Sequence, residues 1–198
     1  MQMNKAVVKE LRSWGIIIAI FGTLYFTGAL PEVAGFAQRA IVFSGLVNPD
    51  TGETEIEKKK AAFDFTLTGI NGENIDFNDL KGKVIFVNLW ATWCAPCIAE
   101  MPSIESLYAD YEGNKNLAFA MISLDKNHEK AIKFMKRKGY SFPAYLPDAS
   151  LLPKVYESNA IPTTYVIDKE GFIVYEKKGM SNYDSKSFHK FLNRLIQD

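Results

Sequence analysis

Val84-Ile85-Phe86-Val87-Asn88-Leu89-Trp90-Ala91-Thr92-Trp93-Cys94-Ala95-Pro96-Cys97 is the stretch on which the fold turns. Its first seven residues form a nearly unbroken apolar run, as expected of a central strand buried on both faces. A helical pattern follows from about Cys94 to Tyr111, with Pro102 kinking it internally. Cys94 and Cys97 are the only cysteines in the chain. A thiol at a helix N-terminus feels the positive end of the helix dipole, which favours the thiolate. A second thiol three residues on is close enough to close a disulfide with it. The combination points to a two-electron redox switch.

Blander readings of the pair are weaker. A bridge across two residues closes a very short loop and removes little chain entropy from the unfolded state, so it makes a poor structural staple. Zinc wants four ligands, and the only histidines, His128 and His189, lie far apart in sequence with no metal spacing. Haem attachment needs a histidine after the second cysteine, where Ile98 stands. No metal and no cofactor are expected.

Around this stretch, residues 61–198 suffice for one domain with a sizeable core. The chain is 47% hydrophobic, with 23 basic and 23 acidic residues, and a net charge of zero argues against an electrostatic nucleic-acid binder. Residues 63–67 alternate as a strand, 69–72 turn, and 75–77 return as a second strand, an added N-terminal β-hairpin. After the central strand and its helix comes a buried strand at 117–124. A helix capped by Asp125 or Asn127 and ended by Gly139 follows, then a short helix at 150–158. Strands at 163–167 and 172–176 flank the turn Asp168-Lys169-Glu170-Gly171, and a last helix starts at Tyr183 or Asp184 and ends near Ile196. This order implies an α/β domain, a mixed central sheet with helices on both faces.

Residues 13–31 carry no charge and just reach the roughly 17–25 apolar residues that a membrane-spanning helix needs. Lys5, Lys9 and Arg12 precede them, so residues 1–12 are expected in the cytoplasm and the remainder outside. An uncleaved anchor fits better than a cleaved signal peptide, whose core would be shorter; Val33-Ala34-Gly35 is only a weak cleavage site. Residues 32–60 are a juxtamembrane amphipathic segment and linker. Val33, Phe36, Ala37, Ala40, Ile41 and Val47 form a single apolar face along its opening stretch. That face lies in the membrane-water interface, merely extends the anchor, or packs against the domain. Residues 53–60 read as a solvated tether, and the Lys58-Lys59-Lys60 run as soluble surface.

The domain resembles the thioredoxin superfamily, and within it the membrane-anchored TlpA/ResA-like thiol-disulfide oxidoreductases. The resemblance covers residues 61–198 and rests on four stretches. They are Asp79-Leu80-Lys81-Gly82-Lys83, Asn88 through Cys97, Glu100-Met101-Pro102 and Ile161-Pro162-Thr163-Thr164. It implies a thioredoxin-like fold preceded by a transmembrane helix. Cys94 corresponds to the attacking cysteine and Cys97 to the buried resolving one. Ile161-Pro162 corresponds to the cis-proline loop, which presents backbone to a substrate strand and keeps metals off the thiols. Trp93 and Pro96 join them in shaping the docking surface, while Trp90 is read as core.

Two departures from relatives inform the mechanism. Thioredoxin proper carries a buried Asp where Asn88 stands here, and Asn88 cannot take a proton. Glu100, about 4.5 Å along the helix axis beyond Cys97, is the alternative acceptor, against the reading of an ordinary surface glutamate. Strong oxidants resembling DsbA carry His where Pro96 stands, and Pro suits a more reducing protein. A peroxide-reducing site resembling the peroxiredoxins would want Thr where Ala91 stands.

The resemblance therefore implies an extracytoplasmic protein-disulfide reductase on the bacterial cytoplasmic membrane, single-pass, without cofactor. Its clients would be disulfide-containing extracytoplasmic proteins, for the ResA-like branch apocytochrome c. Its electrons would come from a membrane thiol carrier resembling DsbD or CcdA. An oxidase, an isomerase, a peroxidase and a non-catalytic binding module are the rivals.

Overall fold

The computed structural model of the chain describes residues 5–50, 59–147 and 152–197. Two helices come first, α1 (Lys5–Thr27) and α2 (Leu30–Phe43). The strands are β1 (Lys59–Lys60), β2 (Thr66–Gly69), β3 (Asn74–Asp76), β4 (Val84–Trp90), β5 (Leu117–Ser123), β6 (Ala144–Pro147), β7 (Thr163–Ile167) and β8 (Phe172–Lys178). Helix α3 (Ala95–Asp110) follows β4, α4 (His128–Lys138) follows β5, and α5 (Lys186–Gln197) closes the chain.

All eight strands join one sheet in the order β1-β8-β7-β4-β5-β6-β2-β3. Strand β4 runs parallel to β5 and antiparallel to β7, and all seven of its residues are buried. A strand with neighbours on both edges and layers on both faces has no place for a charge, and its composition follows from that.

The sheet is a mixed one flanked by helices, but its two faces are covered differently. Val84, Phe86 and Trp90 point into a core that draws on α3, α4 and α5 together, through Ile98, Met101, Ile104, Phe134, Phe188 and Leu192. Ile85, Val87 and Leu89 point to the opposite core, closed by Phe65, Leu67, Phe77 and Tyr156. Among the described residues, that face is covered by the extended N-terminal segment and two single 3-10 turns, Phe77–Leu80 and Lys154–Tyr156, rather than by an α-helix. The β4-α3-β5-α4-β6 connections step across the sheet in one direction, and right-handed crossovers then put both helices on one face.

Several elements depart from their sequence reading. The strand expected at 63–67 is β2, and it starts at Thr66. It pairs antiparallel with β3 but also with β6, so the two strands form the edge of the main sheet and not an appendage. Strand β6, four residues that follow Pro143 and end in Pro147, was not legible. The helix expected at 150–158 is the 3-10 turn Lys154–Tyr156, with Ser150 and Leu151 outside the described residues. Lys59 and Lys60, read as tether, pair with β8 through Ile173 and Phe172, while residues 51–58 and 1–4 lie outside the described residues.

The apolar stretch 13–31 is not one span. Helix α1 ends at Thr27, Gly28 takes a φ of 70°, and α2 leaves at 102°. Among the described residues no single helix is long and apolar enough to cross a membrane; the segments 9–27 and 30–43 meet that requirement only as a bent pair. Helix α2 packs on α3. A Cβ at Gly35 would lie 2.9 Å from the Ala95 carbonyl oxygen and 3.0 Å from Ile98 Cβ, so only glycine permits this approach. Glu32 pairs with Arg137 and, at 2.7 Å, with Lys138 at the end of α4. The face that packs is the one carrying Gly35 and Val42; Val33, Phe36, Ala37, Ala40 and Ile41 point away from the domain, exposed.

Candidate redox site

Strand β4 ends at Trp90, fully buried against Phe134 with ring centroids 5.6 Å apart, as its core reading requires. The chain then turns from sheet to helix over residues 91–94, and Asp125 holds that turn. Its buried carboxylate accepts from the Thr92 N–H (2.8 Å), the Thr92 hydroxyl (2.7 Å) and the Ser123 hydroxyl (2.9 Å). Helix α4 is capped instead by Asn127, whose side chain accepts from the Glu129 N–H.

Cys94 is the N-cap of α3, and its Sγ accepts from the Cys97 N–H at 3.2 Å. Pro96 occupies the first turn, where a missing N–H costs no helical hydrogen bond. Cys94 and Cys97 are joined in a disulfide. Both are buried, while neighbouring Trp93 is 60% exposed, so the pair lies just beneath a surface that Trp93 marks. When the bridge opens, the N–H that now faces Cys94 Sγ and the dipole of a four-turn helix both favour a thiolate there.

The Ile161-Pro162 bond is cis. Strand β7 pairs with β4 in the register Asn88–Thr164 and Leu89–Thr163. Continued one step, that register carries Pro162 to the level of Trp90, the sheet end from which the cysteine loop springs. Pro162 is buried, Ile161 half-buried, and the Pro162 carbonyl accepts from the Gly179 N–H at 2.8 Å.

Glu100 is no surface residue. It is fully buried on α3, one turn beyond Cys97. Its Oε1 accepts from Asn88 Nδ2 (2.8 Å) and its Oε2 from the Ser181 N–H (3.0 Å). Burial pushes its pKa up to about 8, against the smaller lowering effects of those two hydrogen bonds. Asn88 Nδ2 also donates to Thr164 Oγ1 (2.9 Å), which accepts from the hydroxyl of buried Tyr183 (2.7 Å). Ser103 donates to the Glu100 carbonyl (2.7 Å) and accepts from the Tyr183 N–H (3.2 Å). The Asn88 Oδ1 is buried without a partner among the described residues. Turning the amide over would offer that oxygen to a protonated Glu100. An amide can thus serve either protonation state, which a carboxylate at position 88 could not do without adding a second buried charge.

The fold gathers Trp93, Cys94, Pro96, Cys97 and the Ile161-Pro162 loop at one sheet end, with Glu100 beneath them. Sequence reasoning missed Thr164, Ser181, Tyr183 and Asp125 as parts of the site. Asn88 was noticed only for the proton it cannot carry. One further grouping was invisible in sequence spacing. Asp110, Asp184 and His189 bring their ligand atoms within 4.8 Å of one another, at the far end of α3 from Cys94.

The AhpC/TSA family matches residues 59–176. A thiol-disulfide oxidoreductase ResA from Bacillus thuringiensis subsp. konkukian is 34% identical over 65% of this chain and 74% of its own. ResA of Bacillus subtilis is 30% identical over 73% of this chain and 79% of its own. This chain belongs to the AhpC/TSA family and is a ResA-like thiol-disulfide oxidoreductase. A crystal structure from Chlorobium tepidum, assigned as the thiol:disulfide interchange protein DsbE, superposes with a TM-score of 0.62 at 25% identity, covering 70% of this chain and 96% of that one. The ResA-like oxidoreductase thus keeps the thioredoxin-like fold that its motifs implied.

Proposed function

We propose that this oxidoreductase works as a protein-disulfide reductase on the outer side of the bacterial cytoplasmic membrane. The observation that carries the reading is the buried Glu100 one turn beyond Cys97, its pKa of about 8 close to the ordinary thiol value of about 8.5. In the reduced protein, the Cys94 thiolate attacks a sulfur of a client disulfide. One client sulfur leaves as thiolate, and the other stays bound to Cys94. Glu100 as carboxylate takes the Cys97 proton, and the Cys97 thiolate attacks Cys94. The Cys94–Cys97 bridge forms, the client departs with two thiols, and two electrons have moved. With its pKa raised by burial, Glu100 can hold the proton that Cys97 gives up and release it again.

Trp93, Pro96, Ile161 and Pro162 would receive the client strand. The clients we favour are extracytoplasmic proteins with oxidised cysteine pairs, including apocytochrome c. A membrane thiol carrier resembling DsbD or CcdA would re-reduce the bridge, and anchoring would raise its effective concentration. Pro96, where strong oxidants carry His, favours reduction over oxidation.

The test is capture by a Cys97→Ser variant of the full chain in cells. It is expected to hold clients as mixed disulfides at Cys94, released by dithiothreitol and identified by mass spectrometry as exported proteins. Recovery of cytosolic proteins alone would contradict the location, and recovery of none would contradict the reductase role.

A further inference from the structure

Helix α2 is amphipathic the wrong way round for a helix in water. Its only charged residues, Glu32 and Arg39, lie on the side that meets the domain. Glu32 pairs with Arg137 and Lys138 of α4, and Arg39 is half-buried with its Nε out of solvent. The side turned away carries Val33, Ala34, Phe36, Ala37, Ala40, Ile41 and Phe43, all exposed and none charged; Phe36 is 72% exposed and Phe43 53%. A surface helix of a water-soluble domain presents the reverse arrangement.

We infer that the outer face of α2 lies in the lipid interface and clamps the redox domain against the bilayer, with the first turn of α3 resting on the inner face of α2. This rests on the membrane placement proposed above and adds the orientation of the active site. Three observations select lipid as the occupant. Helix α2 is continuous with α1, whose residues 13–27 carry no charge and whose Ile16, Ile18, Phe21 and Phe26 are exposed. The two helices meet at 102°, so when α1 stands along the bilayer normal, α2 lies nearly in its plane. The uncharged part of α1 is also short, about 22 Å at 1.5 Å per residue against a hydrocarbon core of about 30 Å. An in-plane helix with a lipid-facing side supplies the anchoring that α1 lacks.

Gly35 sets the distance. Its close approach to Ala95 puts the residue between the two cysteines about one helix diameter, roughly 10–12 Å, from lipid. A domain held this way does not sweep its tether's full radius. It works on cysteine pairs presented at the bilayer surface.

The full chain, carrying Trp14→Phe so that only Trp90 and Trp93 report, is reconstituted in vesicles of phosphatidylethanolamine and phosphatidylglycerol with a dansyl-headgroup acceptor, under dithiothreitol. Energy transfer from the tryptophans to the dansyl lipid is expected to be strong. Two variants are expected to remain vesicle-bound but lose most of that transfer. Gly35→Leu with Glu32→Lys breaks the clamp on the domain side. Val33→Asp with Ala37→Asp breaks it on the lipid side while leaving the domain contacts intact. Weak transfer in the parent protein, or transfer unchanged in both variants, would overturn the inference, as would failure of the parent protein to sediment with vesicles. No redox step enters the readout, so its failure leaves the thiol chemistry standing, and failure of the thiol chemistry leaves the clamp standing.

Discussion

Glu100 is where a single side chain ties chemistry to stability. Its folded pKa, about 8, lies above the ordinary 4.5. Between those values the folded protein holds a proton that the unfolded chain releases, so stability falls as pH rises through that window. The contribution is fully present below about pH 4.5 and lost above about pH 8, a change of a few kcal/mol at roughly 1.4 kcal/mol per pKa unit. Replacing Glu100 by Gln should flatten this section of the stability profile, measured by urea denaturation from pH 4 to 9. Removing the Asn88 hydrogen bond with Asn88→Leu takes away a group that favours the carboxylate. It should push the Glu100 pKa higher, so that the rise of the disulfide-exchange rate with pH moves to higher pH. A profile identical to that of the parent in both variants would remove Glu100 from the mechanism. The spacing of Glu100 from Cys97 was legible because it follows from helical periodicity. The network around it was not, because Asn88, Thr164 and the Ser181–Tyr183 loop come from three separate places and meet only through the β4–β7 register and the loop that leads into α5.

Between sheet and helix, the four-residue turn after β4 matters more than either element. From just past β5, Asp125 accepts two hydrogen bonds from this turn, both from Thr92, and a third from Ser123 of β5. Asp125→Ala leaves the Thr92 N–H, the Thr92 hydroxyl and the Ser123 hydroxyl without this acceptor. A buried donor left unpaired costs about 1–3 kcal/mol, so a loss of at least that order is expected in the urea midpoint, together with altered dithiothreitol reduction of the bridge. Normal stability would show that the turn holds itself. Sequence offered Asp125 or Asn127 as the cap of α4 because capping is local chemistry; Asn127 takes that role, and Asp125 reaches Thr92 across a parallel strand pair. The same contrast runs through the fold. Strands β4 and β7 were legible to the residue, and for β4 full burial leaves an unmistakable apolar run. Strand β6 escaped because four residues, preceded by Pro143 and ending in Pro147, carry no period. Helix α2 was read correctly as two-faced, but which face meets the protein is settled by Gly35, whose role is visible only once Ala95 stands opposite.

At the scale of the whole molecule, one sheet end collects both cysteines, the cis-proline loop and the buried acid. An N-terminal helix pair attaches beside them. The chemistry assigned to this chain requires the Cys94–Cys97 bridge to open and close reversibly with two electrons. The direct measurement equilibrates the full chain in buffers of graded reduced-to-oxidised dithiothreitol and glutathione and follows Trp90 and Trp93 fluorescence. A single transition with the two-electron slope is expected, tenfold in the equilibrium constant per roughly 30 mV, abolished by Cys94→Ser. A bridge that stays closed, or thiols that stay apart, across the whole range would contradict it.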